Sequence, residues 1–261
     1  MEDKTPRPVL MIFAGPNGSG KSSNTEDVKQ VCGAYPDLYI NADEIALEKG
    51  LDAYAAAKEA ERRREQALTG GISFAMETVM SSTAKLDLMQ KAKSLGYHVH
   101  LEFVLTHDSR INVTRVRNRV LEGGHDVPID KIIARYERSK ALLPRALEIA
   151  DTARILNNSF DNPKVIARKF NNGEIKISPL SPPSKWNEGN IRDLLGIKKD
   201  AENLFGWMGS VNTAELRKQA EEMISELEAA TQSSSQDVPQ AQNPSPETDP
   251  DLSGPETNRP G

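Results

Sequence analysis

The chain has 261 residues, of which 37% are hydrophobic, and a formal net charge of -5 at pH 7. This length suits one α/β domain with appendages. Residues 232–261 hold five acids and one base, so the rest of the chain is nearly neutral, with 33 acids and 32 bases. A neutral body argues against a non-specific nucleic-acid binder, which would carry a basic excess.

The cysteine content and the hydrophobic pattern indicate the cellular compartment of the protein. Cys32 is the only cysteine, which excludes an intrachain disulfide and fits a reducing environment. No apolar run approaches the ~20 residues that a membrane span needs, and residues 1–8 form a short polar arm without a signal-peptide core. We therefore expect a cytoplasmic protein with no membrane contact.

Strand and helix patterns alternate along the first 158 residues. This order predicts an α/β fold in which helices flank a mainly parallel five-stranded sheet. Pro144 is expected to kink or divide the last long helix. The predicted strands are 9–14, 38–40, 72–76, 97–105 and 153–156, and the predicted helices are 22–31, 42–49, 52–68, 83–95, 109–121 and 129–149.

A different pattern follows the fifth strand. Asn172-Gly173 lies between two alternating runs, which predicts a C-terminal β-hairpin. One more short element is expected over 186–195, and a helix over 211–231 that packs on the core or docks a partner. The tail lacks hydrophobic periodicity and is predicted to be disordered. The expected organisation is an arm (1–8), a core domain (9–178) with a helical lid at about 108–150, an extension (179–231) and an acidic tail (232–261).

Residues 15–22 match the pattern G-x-x-x-x-G-K-[ST], with a buried strand before it and a helix after it. In this context the backbone amides curl around an anion, Lys21 reaches the β- and γ-phosphates, and the Ser22 hydroxyl ligates Mg²⁺. A glycine-rich turn without a ligand is the alternative. The pattern predicts a site for ATP and Mg²⁺ formed by Gly15, Pro16, Asn17, Gly18, Ser19, Gly20, Lys21, Ser22 and Ser23.

Polar side chains follow the second and third strands, at the sheet edge where α/β proteins bind ligands. Asp43 could accept a proton from an acceptor hydroxyl, or it could cap the next helix. Glu77 could hydrogen-bond the acceptor, or it could be an ordinary polar strand exit.

The region after the fourth strand is a basic helical hairpin with Gly123-Gly124-His125 between its two helices. One or two of its arginines could neutralise charge on a transferring phosphoryl group. The alternative is a solvated basic face, and for His125 a capping or packing role. The arginines in question are Arg115, Arg117, Arg119, Arg135 and Arg138.

Five segments occur in one order along the chain: residues 14–22 (AGPNGSGKS), 41–43 (NAD), 74–78 (FAMET), 119–128 (RVLEGGHDVP) and 135–139 (RYERS). This ordered set resembles the zeta-toxin-type P-loop kinases, especially the short bacterial form, over roughly residues 9–178. The short family usually reads Asp-Asn-Ser where this chain has Asn157-Asn158-Ser159.

The resemblance implies an activity and a set of roles. Zeta toxins phosphorylate the 3′-hydroxyl of the amino sugar of UDP-N-acetylglucosamine with ATP or GTP, and a protein antitoxin would be expected for a toxic member. It implies that Asp43 is the catalytic base and that Asn41, Glu77 and Thr78 bind the substrate. It also implies phosphate contacts for lid arginines, with Arg119 preferred, then Arg138, then Arg135.

Other functions stay open on the sequence. A P-loop kinase could instead phosphorylate an antibiotic, a nicotinamide dinucleotide or a polynucleotide end, although only 5% of residues are aromatic for stacking bases. A non-catalytic NTP-binding interaction module is a further alternative. Such a module would not require Asp43.

Overall fold

The computed structural model of the chain describes residues 7–160, 162–178 and 188–197. All of these residues fall within one compact unit. The strands are Val9–Ala14 (β1), Leu38–Ile40 (β2), Phe74–Thr78 (β3), His98–Leu105 (β4), Thr152–Asn157 (β5), Lys164–Lys169 (β6) and Ile175–Ile177 (β7). The helices are Lys21–Val31 (α1), Ala42–Lys49 (α2), Ala53–Thr69 (α3), Ala84–Ser94 (α4), Ser109–Leu121 (α5), Ile129–Ile149 (α6) and Glu188–Leu194 (α7).

The strands form one sheet in the order β2-β3-β1-β4-β5-β6-β7. The first five are parallel, as the alternating strand and helix patterns predict. The predicted hairpin forms β6 and β7, which continue the same sheet in antiparallel pairing. Gly173 lies in its turn with φ of 83°, a conformation that glycine adopts without a steric cost.

The two faces of the sheet are covered unequally. One face carries the large core, in which Leu10, Ile12, Leu101 and Phe103 are fully buried and α4 and α6 pack on β4. The other face packs α1 against β1 in a much smaller cluster built on Phe13 and its neighbours. Alternate residues of β1 contribute to the two clusters, and the glycine-rich loop starts directly after its last residue, Ala14.

Helix α6 runs over 21 residues without a break, so Pro144 does not divide it. Proline removes one helical hydrogen bond and normally breaks a helix at a cost of about 3 kcal/mol. Here Leu142 and Leu143 before it and Ala146 and Leu147 after it are buried in the core. Because the apolar face continues across the proline, tertiary packing outweighs the lost bond.

The short element expected over 186–195 is α7. The predicted helix over 211–231, the acidic tail and most of the N-terminal arm lie outside the described residues. Among the residues that the structure does describe, none of the helices has the length and apolar character needed to cross a bilayer.

Candidate active site

The glycine-rich segment forms a loop between the buried end of β1 and the first residue of α1. Gly18 and Gly20 have φ of 72° and 90°. No side chain caps the start of α1 at Gly20, and the first amides of any helix have no acceptor within it. The loop therefore ends at a helix N-terminus whose amides are available to an anion.

Side chains from two other parts of the fold hydrogen-bond the backbone carbonyls of this loop. The Asn112 side-chain amide, on α5, donates to the Asn17 carbonyl at 2.6 Å. The Asn158 side-chain amide, just after β5, donates to the Ser19 carbonyl at 2.8 Å. Arg115 in turn donates to the Asn158 carbonyl at 2.7 Å. Asn157, where the family usually has an aspartate, thus directly precedes Asn158, which holds the loop.

Replacing Gly15 with alanine should destabilise the protein. A Cβ atom there would lie 2.0 Å from the Val104 carbonyl oxygen, at a φ of +142° that L-residues rarely adopt. Relieving that overlap costs about 1–3 kcal/mol in well-packed sites, measurable by urea denaturation. Gly33→Ala is the matched control, because nothing lies within 4 Å of its Cβ position. Equal unfolding midpoints for the two variants would contradict the packing described for the loop.

Lys21 is the cation of the loop. Its ammonium group donates to the Pro16 carbonyl at 3.0 Å. Desolvation lowers its pKa from 10.5 to about 8, partly opposed by the charge of Glu77; Arg119 lowers it further and Asp43 raises it. Two carboxylates and a lid arginine thus lie within electrostatic reach of this lysine.

Glu77, at the end of β3, accepts three hydroxyl hydrogen bonds. Ser22 donates to Oε2 at 3.0 Å, while Thr25 and Tyr39 donate to Oε1 at 2.7 and 2.9 Å. Desolvation, followed by the neighbouring charge of Glu77, raises the pKa of Tyr39, which keeps its proton for this bond. Neither Thr25 nor Tyr39 is among the site residues expected from the sequence. The structure therefore brings Glu77 to Ser22 and the start of α1.

Asp43 lies in the first turn of α2, and its side chain is exposed. The helix is capped by Asn41, whose side-chain oxygen accepts the Asp43 amide at 3.0 Å. The alternative that Asp43 is the N-cap is therefore wrong, and Asn41 performs that role. The Asp43 carboxylate is left exposed at the sheet edge that also carries the loop.

Thr78 accepts two backbone hydrogen bonds, one through its carbonyl and one through its hydroxyl. Its carbonyl accepts the Gly15 amide at 3.2 Å, and its hydroxyl accepts the Met80 amide at 3.1 Å. Met80 itself has a φ of 52°, and no other non-glycine residue in the described ranges has a positive φ. Thr78 thus connects the end of β3 to the loop.

The arginines of the α5–α6 hairpin differ in their positions. Arg135 donates to the Asn17 side chain at 3.4 Å, so it reaches the loop. Arg119 is exposed, donates to the His125 carbonyl at 2.8 Å and acts electrostatically on Lys21. Arg138 is exposed on α6, and within the described ranges it makes no hydrogen bond or ion pair. Arg135 thus contacts the loop and Arg119 acts on Lys21, while a phosphate contact of Arg119, Arg138 or Arg135 stays a prediction.

The fold, the strand order and the loop define a P-loop protein of the kinase type. No family model matches the chain. An uncharacterized protein of Haemophilus influenzae is 31% identical over 134 residues, which are 48% of this chain and 91% of that protein. The chain belongs to the same family as this Haemophilus protein.

Solved structures resemble the chain in fold. A chain of the AvrRxo1-ORF1:AvrRxo1-ORF2 complex with sulphate ions is 15% identical, with a TM-score of 0.53 over 76% of this chain and 66% of that one. The same complex has been solved with ATP. A chain of the PezAT toxin–antitoxin system of Streptococcus pneumoniae is 17% identical, with a TM-score of 0.45 over 86% of this chain and 89% of that one. The predicted α/β fold of the P-loop, kinase type is confirmed by the strand order and by the likeness to the AvrRxo1 complex.

Proposed function

We propose that the protein is a kinase that transfers the γ-phosphoryl group of ATP or GTP to a hydroxyl group of a small acceptor. The observation that carries this proposal is the glycine-rich loop at the start of α1, where Lys21 donates to the Pro16 carbonyl and Ser22 donates to Glu77. Phosphoryl transfer needs positioning and charge neutralisation more than covalent chemistry by the protein. Lysine, arginine and loop amides supply the neutralisation, and a carboxylate supplies a proton acceptor.

The roles follow from the positions. The loop amides and Lys21 bind the β- and γ-phosphates, and Arg119 or Arg135 adds positive charge from the lid side. The Asp43 carboxylate takes the proton of the acceptor hydroxyl as that oxygen bonds to the γ-phosphorus and the bond to the β-phosphate oxygen breaks. The nucleoside diphosphate leaves with the bonding electrons.

Ser22 and Glu77 fit a magnesium ion. The Ser22 hydroxyl lies 3.0 Å from Glu77 Oε2, which places a hydroxyl and a carboxylate side by side. Mg²⁺ in kinases takes few protein ligands, all of them oxygen atoms. When bound, the ion neutralises charge on the phosphates. This role for Glu77 differs from the substrate contact that the sequence suggests.

Glu77→Gln separates the two roles. It removes one charge and should raise the Mg²⁺ concentration for half-maximal transfer by about tenfold or more, with nucleotide binding in the absence of Mg²⁺ unchanged. Transfer rates measured across a Mg²⁺ titration test this. Glu26→Gln, an exposed acid on α1, is the control. A variant that instead shows a raised acceptor KM at saturating Mg²⁺ would support the substrate contact.

Nucleotide binding should be accompanied by proton uptake near pH 8. Burial holds the pKa of Lys21 at about 8 in the free protein, and a bound triphosphate would raise it. At pH 8 about half of the lysines are neutral, so binding should take up about half a proton, falling toward zero near pH 6.5. Calorimetry in two buffers of different ionisation enthalpy measures this uptake. An unchanged buffer dependence in Lys21→Met would contradict the assignment.

The acceptor in this proposal is UDP-N-acetylglucosamine or a related sugar nucleotide, in line with the resemblance to zeta toxins. The AvrRxo1-ORF1 neighbour forms a complex with AvrRxo1-ORF2, and we extend the proposal to a protein partner of the antitoxin kind for this chain. An antibiotic or dinucleotide acceptor would use the same phosphate chemistry.

The acceptor can be sought directly. The protein is incubated with Mg·ATP and a bacterial metabolite extract, and products are searched by mass spectrometry for the gain of one phosphate. A sugar nucleotide should gain it with the wild type and not with Asp43→Ala. Phosphorylation of an unrelated compound would change the acceptor only. ATP hydrolysis without any organic product would overturn the kinase proposal.

A further inference from the structure

The short strand β2 places one tyrosine hydroxyl in the candidate site. Tyr39 packs against the small apolar cluster that contains Phe13, on the α1 face of the sheet. Its hydroxyl group lies within hydrogen-bond distance of Glu77 and of Asn41. Side chains that are fixed by packing hold their polar groups in place before a ligand binds. The fold therefore sets the position of this hydroxyl.

The direction of the Tyr39 hydroxyl bond is set by Asn41. The side-chain oxygen of Asn41 accepts the Asp43 amide at 3.0 Å, so its nitrogen Nδ2 is the atom that faces Tyr39 and donates to the hydroxyl oxygen at 3.1 Å. A tyrosine hydroxyl has a single proton to donate. That proton is left for Glu77, whose Oε1 atom accepts it at 2.9 Å.

The two carboxylate oxygens of Glu77 are consequently not equivalent. Oε1 accepts from Tyr39 at 2.9 Å and from Thr25 at 2.7 Å, in bonds that are partly buried. Two donors occupy both lone pairs of one carboxylate oxygen. Oε2 accepts from Ser22 at 3.0 Å in an exposed bond, and no second donor contacts it within the described ranges. Oε1 thus anchors the side chain, while Oε2 keeps a lone pair beside the Ser22 hydroxyl.

We propose that Tyr39 is a positioning residue, whose hydroxyl, oriented by Asn41, holds Glu77 so that Oε2 and the Ser22 hydroxyl together face the magnesium ion. This inference rests on the kinase function proposed above, and it assigns Tyr39 no contact with the ion or the acceptor. Groups that hydrogen-bond a metal ligand orient it and tune its affinity for the ion. Without the Tyr39 bond, the Glu77 carboxylate would be free to rotate, and part of the magnesium affinity would be lost.

Tyr39→Phe tests the proposal, because it keeps the packed ring and removes only the hydroxyl. The readout is the binding of a fluorescent, non-hydrolysable ATP analogue during a Mg²⁺ titration without acceptor, so that no turnover is involved. The Mg²⁺ concentration that gives half of the effect should rise by about tenfold. Affinity for the analogue without Mg²⁺ should be unchanged, and excess Mg²⁺ should restore wild-type binding, which a general loss of structure would not allow.

Tyr35→Phe is the matched control. Tyr35 packs against the same small cluster, with its ring centroid 6.2 Å from that of Phe13. Its hydroxyl is buried and has no hydrogen-bond partner within the part of the chain that the structure describes. This variant therefore loses a hydroxyl without losing a bond, and it should titrate like the wild type. Thr25→Val removes the other donor to Glu77 Oε1 and should raise the Mg²⁺ requirement in the same direction as Tyr39→Phe.

A double variant shows whether Tyr39 acts through Glu77. When Glu77→Gln has already removed the carboxylate charge, adding Tyr39→Phe should change the Mg²⁺ requirement by less than about twofold, because residues that share one interaction are not additive. A structural effect of the hydroxyl that is independent of Glu77 would instead appear in full in both backgrounds.

The outcomes separate this inference from the proposed function. A wild-type Mg²⁺ requirement in Tyr39→Phe, beside a raised one in Glu77→Gln, would overturn the positioning role alone. Equal shifts in Tyr39→Phe and Tyr35→Phe, or full additivity in the double variant, would overturn it as well. An unchanged requirement in both Glu77→Gln and Tyr39→Phe would remove the magnesium role of Glu77 and this inference with it, while transfer itself is tested separately by Lys21→Ala.

Discussion

Replacing Lys21 with alanine should lower the rate of phosphoryl transfer by about 10²–10³-fold or more, the size of effect seen when one preorganised charge contact to a transition state is lost. The ammonium group donates to the Pro16 carbonyl within the loop, where burial lowers its pKa to about 8. A bound triphosphate would receive that charge at short range. The measurement is initial-rate transfer at saturating nucleotide.

The matched control for this variant is Lys29→Ala. Lys29 lies on the same helix and is exposed, so its loss changes the net charge equally without changing the loop. It should keep wild-type rates. If Lys21→Ala retains near wild-type turnover of ATP, the phosphate role of the loop lysine is wrong.

Asp43→Asn should reduce transfer by about 10²–10⁴-fold, the usual contribution of a general base, with nucleotide affinity nearly unchanged. The substitution keeps the shape of the side chain and removes its ability to take a proton. Because Asn41 provides the cap of α2, folding stability should also be unchanged. The three measurements are transfer rate, nucleotide affinity and the urea midpoint.

Glu44→Gln is the control for Asp43, since Glu44 is the neighbouring exposed acid in the same turn. It should retain transfer within a few-fold. A rate near wild type in Asp43→Asn would remove the general base from the scheme. Loss of stability or of nucleotide affinity in that variant would show that the aspartate acts through the structure instead.

Local sequence signals predicted the elements around the site well. Helix α2 has the predicted bounds because Asn41 caps its start and Gly50, with φ of 61°, ends it. Helices α5 and α6 also have their predicted bounds. Pro144 does not divide α6 because its local effect competes with burial on both sides, which is a property of the folded core.

The contacts that assemble the site were less predictable. Glu77 meets Thr25 and Tyr39 across 52 and 38 residues of sequence, and only the strand order brings them together. Asn157 was visible as a departure from the family pattern, but the bond of its neighbour Asn158 to the Ser19 carbonyl spans 139 residues.

The central claim is that the loop amides hold a triphosphate whose γ-phosphate faces the Asp43 carboxylate. A crystal structure with Mg²⁺ and a non-hydrolysable ATP analogue tests it most directly. We expect the β-phosphate within hydrogen-bond distance of the amides between Gly18 and Ser22, and the Asp43 side chain directed at the γ-phosphate. An empty loop at saturating nucleotide, or an aspartate turned away from the phosphates, would contradict it.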